Sequence, residues 1–157
     1  MTLLIVLVLL YRNFDSISDA LVVMGAIPLA MIGGLLTLWL RGLSVTVPAI
    51  IGFIALAGVA VMNGVVLIGF IKDLQHKGLS VNEAVVQGAK ARLRPVLMTA
   101  LVAALGFIPM ALNTGLGSEV QRPLATVVVG GLVSATLLTL VVLPLVYLLN
   151  NRTHEAK

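Results

Sequence analysis

The chain has 157 residues, of which 60% are hydrophobic and 10% charged, and its formal net charge is +4. Ordinary soluble domains carry about 25% charged residues, so this composition excludes a typical soluble domain and favours an integral membrane protein. Because there is no cysteine, the chain contains neither a disulfide nor a thiolate metal site.

The first apolar segment, residues 2–11, is too short to cross a bilayer. It lacks the positively charged start and the small-residue cleavage site of a secretory signal peptide, and Arg12 and Asn13 follow it. We therefore expect it to be the second half of a membrane helix, and the chain to be a piece of a larger protein. In the polar turn that follows, Ser18 or Asp19 is expected to cap the next helix.

Four long segments contain no Asp, Glu, Lys, Arg or His: residues 20–40, 46–71, 95–112 and 124–149. About 20 helical residues cross a hydrocarbon core about 30 Å thick, so each segment is predicted to be a membrane span, the third being at the lower limit of length. The sequence thus predicts an all-α integral membrane protein, with four full spans in a bundle and a truncated helix before them.

Small residues recur in these spans at intervals that allow neighbouring helices to approach closely. Glycine disfavours helix formation in water, so its frequency here indicates a packing role instead. The packing candidates are Ala26, Ala30, Gly34, Gly58, Gly64, Gly130 and Ser134.

Asn63 is the only strongly polar side chain of the second span. An amide in hydrocarbon needs hydrogen-bond partners, so Asn63 must face another helix or a hydrated path. A hydrogen bond between helices and a role in transport are the two alternatives. Thr99 in the third span has a local alternative as well, because its hydroxyl can bond the carbonyl one turn earlier.

The connection between the second and third spans, residues 72–94, has helical features of its own. Ser80 and Glu83 fit a capping box, and the residues after them predict a short amphipathic helix, about residues 80–93, at the inner membrane surface. Pro95 suits the first turn of the next helix. Arg92 either anchors the chain at the membrane surface or points into the bundle, toward an acid that this chain does not supply.

If the spans alternate in direction, 8 of the 10 Lys and Arg residues lie on one side of the membrane. The positive-inside rule then puts residues 72–94 and the C terminus in the cytoplasm, so the basic charge sets topology and no nucleic-acid partner is expected. His76 and His154 have no second ligand at metal spacing, and there is no phosphate-binding loop or nucleophile motif. We expect no catalytic residue, no bound metal and no cofactor.

Several separated motifs resemble the resistance–nodulation–division efflux pumps. Residues 52–66 (GFIALAGVAVMNGVV) resemble the tenth membrane helix of that family, and residues 92–99 (RLRPVLMT) resemble the entry to the eleventh. Residues 114–125 (TGLGSEVQRPLA) are similar to the heavy-metal, CzcA-type branch. The resemblance implies that residues 1–150 are the C-terminal half of a twelve-helix membrane domain, with the end of helix eight and helices nine to twelve, and that residues 151–157 are a cytoplasmic tail.

The resemblance also implies a proton antiporter of the bacterial inner membrane, which is not an enzyme. Such a pump is a homotrimer that joins a periplasmic adaptor and an outer-membrane channel. Asn63, Thr99 and Arg92 match family positions that line the proton relay, whose carboxylate lies in the other half of the pump. Drug exporters carry Lys, and the silver/copper branch an acid, where this chain has Met62, which cannot carry a proton.

Gln121 and Val96 stand where the branch for monovalent metals has Met and Lys. Soft Cu(I) and Ag(I) prefer thioethers, whereas divalent Zn, Co, Cd and Ni prefer carboxylate and imidazole. The leading hypothesis is therefore a fragment of a divalent heavy-metal/proton antiporter, with metal ions, protons, the lipid bilayer and the remainder of the pump as partners. A drug or organic-solute exporter and a non-transporting membrane remnant are the alternatives.

Overall fold

A computed structural model describes residues 2–155, and side chains between residues 4 and 149. The described chain is a helical bundle, with helices α1 (Thr2–Phe14), α2 (Ile17–Leu40), α3 (Val47–His76), α4 (Val81–Leu112), α5 (Ser118–Leu137), a π-helical turn (Leu138–Val142) and α6 (Leu143–Glu155). Four stretches are long and apolar enough to span a membrane, namely α2, α3, α4 and Ser118–Leu149. The predicted fold class is confirmed, and α1 is the short helix that precedes the four spans.

Helix α5 lies at the centre of the bundle and packs against α2, α3 and α4. Two apolar clusters form the core. One joins α1, the start of α2, the end of α3, the start of α4 and α6, and the other joins the remaining halves of α2 and α3 to α5. The least buried of the four spans is α4, so much of its apolar surface faces away from the described chain.

Helix α4 departs from the sequence prediction, because it runs unbroken from Val81 to Leu112 with Pro95 inside it. The predicted break at Pro95 is wrong. Membrane helices tolerate proline where neighbours and local hydroxyls compensate for the lost hydrogen bond. Gly88 before Pro95 and Val96 after it are both buried, so the helix packs against its neighbours on both sides of the proline. The capping box itself is confirmed, since Ser80 and Glu83 satisfy each other's backbone N–H groups.

The start of α2 also differs from the prediction. Ser16, rather than Ser18 or Asp19, is the N-cap, and its hydroxyl oxygen accepts a hydrogen bond from the Asp19 N–H at 3.4 Å. Asp15 ends α1 with a φ of 49°, in the left-handed region, which makes the corner between α1 and α2 only two residues long. Asp19 consequently falls in the first turn of α2 and is buried there.

The last span contains a π-helical turn just before Pro144. The Leu143 N–H donates to the Leu138 carbonyl, five residues earlier, and the Thr139 hydroxyl donates to the Ala135 carbonyl at 2.7 Å. Proline has no N–H to continue the regular pattern, and π-helical turns, although rare, occur mostly as single turns inside α-helices. The span therefore continues through Pro144 into α6 without ending.

Candidate functional site

A pocket of about 350 Å³ lies between α3, α4 and α5. Asn63 and Thr99 both line it, together with Met62, and every other lining side chain is apolar, including Leu56 and Phe107. The structure thus brings together two of the three predicted relay residues, in a setting where they are the only polar groups.

The two polar side chains of the pocket differ in how they are satisfied. Thr99 donates its hydroxyl proton within its own helix, at 3.1 Å from the Pro95 carbonyl and 3.0 Å from the Val96 carbonyl. Among the described residues, the Asn63 side chain has no hydrogen-bond partner. An amide offers two N–H donors and one carbonyl acceptor, so Asn63 keeps its full capacity for a water or a group from outside this chain.

Arg92, the third predicted relay residue, lies outside the pocket. Its guanidinium stacks over the Phe70 ring, 5.0 Å from the centroid, and its Nε is buried without a partner among the described residues. Seven residues separate Arg92 from Thr99, so the two lie on the same face of α4, about 10 Å apart along the axis. The Arg92 cation is thus held by the Phe70 ring. It lies on the face of α4 that lines the pocket, but outside the pocket.

Most of the predicted packing residues lie at helix contacts, and the closest approach is between α2 and α5. The Ser134 hydroxyl donates to the Ala30 carbonyl at 3.3 Å. A Cβ added at Gly130 would overlap Thr37, and one added at Gly34 would lie 3.3 Å from the Val127 carbonyl oxygen of α5. These small residues therefore let two helix backbones meet directly.

Of the remaining predicted packing residues, Ala26 and Gly64 lie at helix contacts and Gly58 does not. Ala26 is buried, and a Cβ added at Gly64 would lie 3.1 Å from Val23. Gly58 is exposed, with nothing within 4 Å of an added Cβ, so it makes no close contact with another described helix. Gly33 and Gly131 were not predicted, although each adjoins a residue that the spacing identified. A Cβ added at these glycines would overlap Ser134 and Leu56.

A buried ion pair, which sequence analysis missed, joins Asp19 to Lys72. Lys72 Nζ lies 2.7 Å from Asp19 Oδ2 and donates to the Phe14 carbonyl at 2.6 Å. Asp19 is 5% exposed and is the only buried charged residue in the part of the chain that the structure describes. Asp19 directly precedes the charge-free segment 20–40, and Lys72 directly follows the charge-free segment 46–71. Neither residue therefore stood out as a charge within a span.

At the opposite end of the bundle, Arg41 connects three helices. Its Nη1 donates to the Thr126 hydroxyl at 2.9 Å, and its Nη2 donates to the Ala111 carbonyl at 2.8 Å. Ala111 lies in the last turn of α4, where carbonyl groups lack partners within the helix. Arg41, which follows the last residue of α2, thereby links the end of α4 to α5.

Arg41→Met should lower the unfolding free energy of the purified chain by about 2 kcal/mol, because two hydrogen bonds from a charged donor are lost. Chemical unfolding in detergent micelles measures the difference. Arg94→Met is the matched control, since Arg94 is exposed and makes no described contact, and it should be neutral. Equal stability of the two variants would show that the Arg41 contacts do not hold the bundle.

Residues 1–151 match the family model described as the AcrB/AcrD/AcrF family. Over 153 residues the chain is 58% identical to the cobalt-zinc-cadmium resistance protein CzcA of Cupriavidus metallidurans. This match covers 98% of this chain and 14% of that protein. It is 56% identical over 135 residues to the nickel and cobalt resistance protein CnrA of the same organism, covering 86% of this chain and 12% of that protein. The chain is 38% identical over 158 residues to the cation efflux system protein CusA of Escherichia coli K12, and this match covers 94% of this chain and 15% of that protein.

The fold is similar to the crystal structure of a heavy metal efflux pump, with a TM-score of 0.82 and 52% sequence identity. The match covers 95% of this chain and 14% of the pump. The chain thus spans about one seventh of the length of these relatives.

Proposed function

The chain belongs to the AcrB/AcrD/AcrF family, and we propose that it is the C-terminal part of the membrane domain of a proton-driven pump that exports divalent heavy-metal cations. Membership of this family makes it part of a multi-pass inner-membrane transporter rather than of an enzyme. The observation that carries the choice of substrate is the identity of 56–58% to proteins named for cobalt, zinc, cadmium and nickel resistance.

In this proposal residues 1–150 supply the end of helix eight and helices nine to twelve of the pump. Helix α1 corresponds to helix eight, α2 to α4 correspond to helices nine to eleven, and Ser118–Leu149 is helix twelve. The basic segment of residues 72–94, at the end of α3 and the start of α4, is cytoplasmic in this proposal, as are residues 151–157, of which the last two lie outside the described residues. The complete pump is a homotrimer that meets a periplasmic adaptor and an outer-membrane channel.

The pocket between α3, α4 and α5 is proposed to be the uncharged wall of the proton relay. Asn63 offers free donors and an acceptor, and Thr99 offers the lone pairs of its hydroxyl oxygen. A carboxylate from the other half of the pump would take up a proton opposite this wall and bias the pump between two conformations. Arg92, on the same face of α4, is the cation that this acid meets when it is ionised.

The test uses the complete pump that contains this segment, in inverted membrane vesicles with an imposed proton gradient. Zinc and cobalt should enter the vesicles only when the gradient is present, and cells that carry the pump should resist these metals but not cationic dyes. Resistance to dyes without resistance to metals would establish an organic-solute exporter instead. The absence of any gradient-driven flux would leave a membrane protein without transport activity.

A further inference from the structure

Three helices meet at one ammonium group at the proposed cytoplasmic end of the bundle. Lys72, near the end of α3, pairs with Asp19 in the first turn of α2 and donates to the carbonyl of Phe14, the last residue of α1. The same Nζ lies 5.2 Å from the centroid of the Phe14 ring. One side chain therefore satisfies a buried carboxylate, an unpaired helix-end carbonyl and an aromatic face.

The corner that Lys72 contacts is short and strained. Asp15 adopts a φ of 49°, in the left-handed region that is unfavourable for a residue with a side chain, and this conformation persists only where its surroundings enforce it. Helix α2 is the only described helix with an extensive contact to α1. Lys72 is thus the main polar link between α1 and the rest of the bundle.

There is space into which this corner can move. A polar pocket of about 710 Å³ lies beside Lys72, and Asn13, Asp15, Asp73 and His76 are among the residues that line it. Without Lys72, no described hydrogen bond or ion pair would hold the end of α1 against α3, and the corner could shift toward this pocket. Lys72 consequently holds the three helix ends together beside an open pocket.

We propose that Lys72 and Asp19 are positioning residues of the pump, whose ion pair fixes the rotation of α3 and thereby the direction in which Asn63 faces its pocket. This inference rests on the proposed function. Lys72 follows Asn63 by nine residues, so the two lie on opposite faces of α3, about 13 Å apart along the axis. A constraint on the face that carries Lys72 therefore sets the orientation of the face that carries Asn63.

The experiment compares four variants of the complete pump that contains this segment. Lys72→Met leaves the Asp19 carboxylate buried and unpaired, and the double variant Asp19→Leu/Lys72→Met removes both charges, so that it can fold without an isolated buried charge. Lys72→Arg keeps a cation, and Lys77→Met is the matched control, because Lys77 is an exposed lysine directly after the end of α3. Amide hydrogen exchange of residues 11–16 and the kinetics of gradient-driven zinc uptake are measured for each.

In the double variant, present at normal levels in the membrane, we expect residues 11–16 to exchange at least about tenfold faster than in the wild type. The maximal rate of zinc uptake should fall about tenfold at an unchanged KM, because a misdirected relay slows turnover without altering metal binding. Lys72→Met should show the same changes with less pump in the membrane, whereas Lys72→Arg and Lys77→Met should behave like the wild type.

Wild-type uptake in the double variant would overturn the proposal, since the two charges would then only neutralise each other. Fast exchange combined with a normal maximal rate would overturn it as well, because the corner would be loose without consequence for α3. If the wild-type pump itself moves no zinc, the proposed function fails, and unchanged exchange in the double variant would separately show that the ion pair does not hold the corner.

Discussion

Gly130→Val is expected to separate α2 from α5 and to lower the unfolding free energy of the chain by roughly 3 kcal/mol. Any Cβ at this position would overlap the Cβ and hydroxyl of Thr37, and the overlap cannot be relieved by rotating a flexible side-chain end. The Thr37 hydroxyl is moreover held by the Gly33 carbonyl at 2.8 Å. Unfolding of the purified chain in mixed micelles, followed by helix content, measures the loss.

The effect should be large because α2 and α5 form the most extensive contact between helices of the described chain. Lipid tails are as apolar as the side chains, so close van der Waals packing supplies much of the attraction between membrane helices. A gap of even a methyl group along the contact affects several pairs at once. The Ser134 hydroxyl would also lose its hydrogen bond to the Ala30 carbonyl.

Gly58→Val is the matched control for this prediction. It makes the same substitution inside a membrane helix, but nothing lies within 4 Å of the added Cβ, so stability should be unchanged. Thr37→Gly should restore much of the stability of Gly130→Val, because it removes the atoms that clash. Equal destabilisation at positions 58 and 130 would mean that the loss of glycine matters in itself and the contact with Thr37 does not.

The contrast between Gly58 and Gly130 shows which features of the fold can be predicted from the sequence and which cannot. Charge-free segments locate spans well, because a chain in lipid must satisfy its backbone within each helix and leave charges outside. The spacing of small residues identifies a stripe on a helix, but it cannot tell whether that stripe faces a neighbour or lipid. Gly130 faces α2, whereas Gly58 faces away from every described helix.

The candidate site follows the same pattern. Asn63 and Thr99 could be singled out as polar residues within apolar spans, yet their meeting in one pocket depends on how α3 and α4 pack. The Asp19–Lys72 pair was hidden for a different reason. Each partner lies just beyond a charge-free segment, where a charge is ordinary, and only the packed helices show that Asp19 is buried and that Lys72 reaches it.

Asn63→Ala should lower proton-driven zinc export by the complete pump roughly 100-fold, an effect typical of losing a group that handles protons. Alanine leaves the pocket lined by apolar side chains and the already occupied Thr99 hydroxyl, and such a surface does not hold a chain of water. Export is measured in inverted vesicles. Asn82→Ala is the matched control, because Asn82 is exposed in the first turn of α4.

The stability of the same variant separates a relay from a structural hydrogen bond. Asn63 has no hydrogen-bond partner among the described residues, so Asn63→Ala should not destabilise the purified chain. If the complete pump is present at normal levels but exports poorly, the amide acts on protons or water. If its level in the membrane falls in proportion to export, Asn63 binds a helix of the other half, and its role is packing. Normal export would exclude the relay role, because a pocket without its only free polar group would then transmit protons equally well.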